Sequence, residues 1–253
     1  MKNTLLSSLI LAALTAPGVA MAGEASPISA NVGFTTDYLF RGISQTGSKP
    51  AIQGGIDYAH ASGFYAGIWG SNISWLSDAG VANNASVELD TYLGFRNSLT
   101  EDFGYDVGFL RYNYPGSYAA AAVKADTNEL YGAVSYKWIT AKYSYSTGDT
   151  FGAAAAKGSN YLELNASYTL EDAGVTLGAH YGKQKYRGVN AGTGLTALSY
   201  SDYKLSASKD FSGYALGLAY SKTNAATGAG AAYHVLGKDL GKGTAVLSVT
   251  HSF

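Results

Sequence analysis

The sequence predicts an all-β fold: a transmembrane antiparallel β-barrel of about twelve strands with both termini on the periplasmic side. Three observations predict it. Apolar and polar residues alternate with a period of two in segment after segment, and no stretch carries a sustained helical period. The connections alternate between short turns and longer segments rich in Gly, Ala, Ser and Asn, the pattern of short periplasmic turns and long outer loops. Charged residues make up only 14% of the chain, while Tyr reaches 21 and Gly 32 of 253 residues. A soluble domain averages roughly 25% charged residues, whereas a wall facing lipid needs few.

The beginning of the chain agrees. Lys2 supplies a positive charge, residues 5–14 are mostly apolar, and Ala20-Met21-Ala22 is a small-x-small cleavage signal. A secretory signal peptide is therefore expected over residues 1–22 and the barrel domain over 23–253. The apolar run is too short to span a bilayer as a helix. The mature chain would hold about 230 residues with a net charge of about −2. That balance gives no electrostatic footprint for nucleic acid. The chain has no Cys, and a closed hydrogen-bonded sheet needs no disulfide staples.

The strands follow in order. Residues 28–42 place Val32, Phe34, Tyr38 and Phe40 opposite Asn31, Thr35, Asp37 and Arg41. Segments 50–60 and 64–76 flank the short turn Ala61-Ser62-Gly63. Residues 86–98 set Val87, Leu89, Leu93 and Phe95 against Glu88, Asp90 and Arg96, and 103–114 follows the turn Thr100-Glu101-Asp102. Residues 127–138 set Leu130, Val134, Tyr136 and Trp138 against Glu129, Ser135 and Lys137, and 140–148 pairs back on them. Residues 159–170 set Leu162, Leu164, Ala166, Tyr168 and Leu170 against Glu163, Asn165, Ser167 and Thr169. Segment 174–187 comes next, and then 199–209 and 213–222 flank the turn at 210–213. Residues 244–253 close the series, with Ala245, Leu247, Val249 and Phe253 on one face. That makes twelve, an even count that returns both ends to one side. Residues 232–240 are read as outer loop or strand extension; counted as a strand, they point to fourteen. Tyr38 and Phe40, Trp69 and Trp75, Tyr112 and Tyr114, Tyr136 and Trp138, and Tyr143 and Tyr145 cluster near strand ends, where interfacial belts place their rings.

Two stretches carry a resemblance. The last strand, ending on Phe253, resembles the terminal strand of bacterial outer-membrane barrels, which implies the barrel-assembly machinery as a partner. Asn31-Val32-Gly33-Phe34-Thr35-Thr36-Asp37-Tyr38-Leu39-Phe40-Arg41-Gly42-Ile43-Ser44-Gln45-Thr46 resembles the opening of the TorF-type porins of proteobacteria. Pro50–Tyr58, Gly63–Asn72, Glu88–Phe95 and Tyr112–Gly116 continue that resemblance in order. It implies an outer-membrane location and a channel role, and little about the solute.

The polar strand face is expected to line the lumen with Asp37, Arg41, Asp57, Glu88, Asp90, Arg96, Asp106, Glu129, Lys137, Lys142, Glu163, His180, Asp202 and Lys204. Acids outnumber bases, so a weak cation preference is expected. Twelve strands lie between the filled barrels of eight and the open barrels of sixteen, so an open aqueous pore competes with a filled lumen. Asp37 and Arg41, four apart on one face, are expected to form a pair at the pore mouth. Arg111 shares the parity of Val107 and Phe109, so it needs either a bulge that turns it inward or a place at headgroup level. The expected function is passive diffusion of small hydrophilic solutes across the outer membrane, with lipid and lipopolysaccharide as surroundings. The alternatives are a filled barrel with a structural or adhesive role, or a lipid-modifying enzyme. Against an enzyme, His60, His180, His234 and His251 are scattered with no nucleophile motif. No catalytic residue, cofactor site or metal spacing is read from the sequence. Against an adhesin, the long loops are rich in small residues and poor in the Trp, Tyr and Arg that make hot spots.

Overall fold

The computed structural model describes residues 26–253. The expected signal peptide, 1–22, lies outside the described residues. Twelve antiparallel strands close into one barrel: β1 (Ile28–Thr35), β2 (Ala51–Ala59), β3 (Phe64–Asn72), β4 (Val87–Ser98), β5 (Phe103–Asn113), β6 (Thr127–Tyr136), β7 (Ile139–Ser146), β8 (Asn160–Leu170), β9 (Val175–Lys185), β10 (Tyr200–Phe211), β11 (Tyr214–Thr223) and β12 (Thr244–Ser252). Each strand pairs with its sequence neighbours, and β1 pairs with β12 through Asn31↔Ser252 to Thr35↔Ser248 to close the ring. Closure leaves no unpaired strand edge, which is what lets a sheet cross lipid.

The period of two does its expected work. Outward residues of β8, Leu162, Leu164 and Tyr168, are exposed, while Tyr161, Asn165 and Ser167 are buried on the lumen side. The turns of β2–β3, β4–β5, β6–β7, β8–β9 and β10–β11 gather with both strand termini at one end of the barrel. The long connections gather at the other, the loop end. Residues 232–240 form no barrel strand; His234–Val235 and Lys238–Asp239 make a small hairpin within the last long loop.

Three sequence expectations are corrected. The first strand stops at Thr35, not at residue 42. Beyond it, Leu39–Phe40 and Ile43–Ser44 pair as a short hairpin. Arg41 and Gly42 both have positive φ, 48° and 80°, the two-residue turn geometry that suits a tight hairpin. Second, the aromatics Tyr38, Phe40, Tyr112 and Tyr114 do not form an interfacial belt. They are buried in a cluster with Ile73, Leu76 and Leu110, and Trp69 and Trp75 pack against it. Tyr136, Trp138 and Tyr143, by contrast, are exposed on the outer face. Third, Lys137 is not on a strand. It occupies the β6–β7 turn with φ of 52° and faces Asp102 of the neighbouring turn at 3.8 Å, both side chains half exposed.

Candidate functional site

The lumen has two halves of different character. Toward the turn end lies a cavity of about 610 Å³, lined among others by Asp57, Tyr92, Arg96, Asp106, Lys142 and Glu163. Register makes its charge pattern. Arg96 pairs with Asp106, Asp106 with Ala133, Ala133 with Lys142, and Lys142 with Glu163. A single line across five strands therefore carries charges of alternating sign. Tyrosines brace this wall. Tyr92 donates to Asp57 Oδ1 at 2.5 Å, Tyr65 donates to Asp106 Oδ1 at 2.7 Å, and the Tyr65 and Tyr131 hydroxyls are in contact. The Arg96 guanidinium lies over the Tyr65 ring and the Lys142 ammonium over the Tyr131 ring, at 4.9 and 4.3 Å from the centroids. Such stacking holds the cations against the wall. The tyrosines fit because glycines face them: a Cβ at Gly67 would sit 2.5 Å from the Tyr92 hydroxyl, and one at Gly94 would collide with Tyr65.

The loop half is filled. The hairpin of residues 39–44 folds inward, and Arg41 at its tip crosses the lumen to the wall opposite β1. Its guanidinium donates twice to Glu129 on β6, at 2.7 and 3.1 Å, and to Gln184 on β9 at 2.7 Å. It also lies over the Tyr161 ring of β8, 4.3 Å from the centroid. The Arg41–Glu129 pair is almost fully enclosed, with 7% and 1% of the side chains exposed. The expected Asp37–Arg41 pair is therefore not formed, because the strand that would have aligned the two ends at Thr35. Asp37 instead accepts from Ser44 Oγ at 2.6 Å and Thr46 Oγ1 at 3.0 Å, tying the root of the hairpin. Burial holds its carboxyl above the ordinary value, while those hydroxyls and Lys238 pull it back down. Neighbouring loops grip the hairpin through Ser44 N–H to the Leu240 carbonyl, Ser74 N–H to the Gln45 carbonyl, and Lys238 Nζ to the Gly47 carbonyl.

Beneath the hairpin is a second, small cavity of about 60 Å³ that shares Lys142 and Glu163 with the larger one. His180 and Asp202 line it. Both ring nitrogens of His180 face oxygens, Asn165 Oδ1 at 2.6 Å and Asp202 Oδ2 at 2.8 Å, and Tyr161 donates to Asp202 Oδ1 at 2.9 Å. Lys204 lines the same cavity. Glu88 and Asp90 lie outside both cavities, inside the aromatic cluster. Tyr38 donates to Glu88 Oε1 at 3.1 Å, and both Asp90 oxygens and Glu88 Oε2 are buried with no hydrogen-bond partner among the described residues.

Of the fourteen residues read as lumen-facing, the structure brings Asp57, Arg96, Asp106, Lys142 and Glu163 together in the larger cavity, and His180, Asp202 and Lys204 in the smaller with Arg41 above it. Glu129 is enclosed by Arg41, Asp37 is enclosed in the hairpin root, and Lys137 lies outside. The residues missed are tyrosines 65, 92, 131 and 161 and their glycine partners. Arg111 makes no bulge, since its register with Thr91 and Asn128 is unbroken. It faces outward near the loop end and reaches Asn113, Asn128 and Asp126 at 2.7–3.3 Å. His60 has Ser62 beside it, with Nδ1 2.7 Å from Ser62 Oγ. Ser62 N–H also meets that ring, so the contact closes an exposed turn.

The fold matches solved porins at low sequence identity. The KdgM porin aligns with a TM-score of 0.55 and 10% identity, over 89% of this chain and 99% of that one. A second KdgM structure, in complex with disordered oligogalacturonate, gives 0.51 and 9%, over 89% and 98%. The NanC porin gives 0.50 and 10%, over 89% and 98%. These likenesses show the barrel fold alone. No curated protein sequence matches the chain. A family model, bacterial protein of unknown function (Gcw_chp), matches residues 20–253. With nearly the whole chain covered, including all twelve strands, the protein belongs to the Gcw_chp family.

Proposed function

We propose that this protein is a non-enzymatic outer-membrane channel for passive diffusion of small hydrophilic solutes. In this reading the long loops face outward and both termini face the periplasm. The observation that carries it is the closed twelve-strand barrel with an apolar outside and a charged vestibule of about 610 Å³ within. The resemblance of residues 31–46 to TorF-type porins supports the same reading. So does the cleavage signal at Ala20-Met21-Ala22, which marks residues 1–22 as an export signal. The exposed terminal Phe253 fits recognition by the barrel-assembly machinery. Three vestibule carboxylates, Asp57, Asp106 and Glu163, face two cations, Arg96 and Lys142, so the channel prefers cations weakly. Oligogalacturonate, the acidic ligand of the KdgM complex, suits this lining poorly.

The test is single-channel conductance of the refolded mature protein in planar bilayers, with the reversal potential read under a salt gradient. Discrete openings with a cation-leaning reversal support the channel. The filled loop half favours a second reading, a plugged barrel with a structural role. A protein that inserts and shifts on heating but stays electrically silent, with or without the hairpin, establishes that reading instead.

A further inference from the structure

The outer face of the barrel sorts its charges in a way that the channel role does not require. All eight carboxylates on barrel strands, Asp57, Glu88, Asp90, Asp106, Glu129, Glu163, Asp202 and Asp210, have lumen parity. Four strand cations at the loop end, Arg111, Lys183, Lys185 and Lys222, have the opposite parity and face outward. Arg111 is matched locally by Asp126, Asn113 and Asn128. The three lysines are exposed, and none takes part in an ion pair among the described residues.

The lysines form one patch. Lys222 on β11 pairs with Tyr203 on β10, which pairs with Tyr181 on β9. Tyr181 and Tyr203 are in ring contact at 5.3 Å. Lys183 and Lys185 continue β9 from Tyr181 toward the loops. Two strand spacings and two residues separate Lys222 from Lys183, roughly 12 Å at Cα. Two flexible lysine stems close that gap around one anionic group. Lys183 lies eight residues along β9 from Val175, about 26 Å of strand. Allowing for barrel tilt, that reaches the upper part of an apolar band about 25 Å tall. A lysine is costly in hydrocarbon at the midplane and costs almost nothing at the interface, so these three belong at headgroup level, with the paired tyrosines as the shelf below.

We propose that Lys183, Lys185 and Lys222 form a docking site for a phosphate-bearing lipid headgroup of the outer leaflet, the chemistry carried by lipopolysaccharide. The proposal rests on the reading above that the loop end faces outward. Charge complementarity picks the occupant: three unmatched cations without one outward strand carboxylate, set over an aromatic ledge at the lipid boundary. A phosphate brings the charge and acyl chains cover the tyrosines, so the two parts of the patch engage one molecule.

The test refolds the full mature barrel into phosphatidylcholine vesicles containing lipid A and measures lipid A retained after re-extraction, by native mass spectrometry. Parallel samples contain dephosphorylated lipid A, or lipid A with millimolar inorganic phosphate. The wild type is expected to retain lipid A at least about tenfold over its dephosphorylated form; a factor of about five for each of three basic residues sets an upper bound of about a hundredfold. The combined Lys183→Ala, Lys185→Ala, Lys222→Ala variant should lose that preference, the three-arginine variant should keep it, and Lys209→Ala at the turn end should leave it unchanged. Equal retention in the triple alanine variant overturns the site. Full displacement by inorganic phosphate also overturns it, because the patch would then be a free-anion site. A wild type that neither inserts nor shifts on heating overturns the membrane reading and the site with it; an inserted, heat-shifted barrel without the preference overturns the site alone.

Discussion

Arg41 holds a backbone conformation that most residues avoid, with φ of 48°, a cost on the order of 1–3 kcal/mol. Its side chain explains why the position is tolerated: a bidentate grip on Glu129, a bond to Gln184 and a ring beneath. Removing one partner of an enclosed ion pair costs about 3–5 kcal/mol, because the other charge is left buried. Arg41→Ala is therefore expected to loosen the hairpin and raise single-channel conductance or open time, with the heat-shifted barrel unchanged. Arg41→Lys should give an intermediate value, since it keeps the charge and loses the fork. A second residue-scale prediction concerns Gly67. Gly67→Ala must displace Tyr92 from Asp57, and should lower the barrel's unfolding temperature in detergent more than Gly148→Ala, whose loop site has open space and no positive φ. The sequence placed Arg41 toward the lumen but gave it Asp37 as a neighbour, because alternation runs without a visible break through residues 28–42. The Arg-Gly step was the one local sign of a turn.

At the scale of elements, the hairpin of residues 39–44 separates a filled half from an open cavity. Replacing residues 39–44 with a short Gly-Ser linker removes no barrel strand, so conductance should rise while β-sheet circular dichroism stays the same. Asp37 adds a pH dependence. Its carboxyl is raised in the closed hairpin by burial and returns to its ordinary value once the hairpin is released into water. The closed form thus binds the proton more tightly; acid favours closure, and that stabilisation is lost as pH rises through the raised value. Conductance should increase from acidic to neutral pH, and Asp37→Asn should flatten the response. The strands themselves were legible, down to the eleven alternating turns and loops, because period and turn chemistry are local. The aromatic pairs were misplaced for the same reason: rings near strand ends look alike whether they face lipid or fold inward. The charge line Arg96–Asp106–Lys142–Glu163 was hidden, since it depends on register between strands and not on any one of them.

For the molecule as a whole, the wall is set by hydrogen-bond closure and the lumen by what the loops leave open. If the proposed channel conducts through the vestibule, the net charge there sets its selectivity, and alternating neighbours on one register line weaken the field. Neutralising Asp57, Asp106 and Glu163 together, as Asp57→Asn, Asp106→Asn and Glu163→Gln, should move the reversal potential toward anions. Neutralising Glu88 and Asp90, which lie outside both cavities, should leave it in place. An unchanged potential in the first variant would remove the vestibule from the conduction path.

The pairing of β1 with β12 also has a meaning in time. Asn31 and Ser252 are register partners from opposite ends of the chain, so this is the contact with the highest loop-closure entropy and the last to become favourable. The hairpin is the direct continuation of β1. Its tip must already point inward when the ring shuts, or it is left to thread past the gathered loops. Plug and seam therefore form as one step, like a ship raised inside its bottle as the neck is drawn closed. Refolding of an Arg41→Ala barrel should then reveal a slow population whose hairpin was stranded outside.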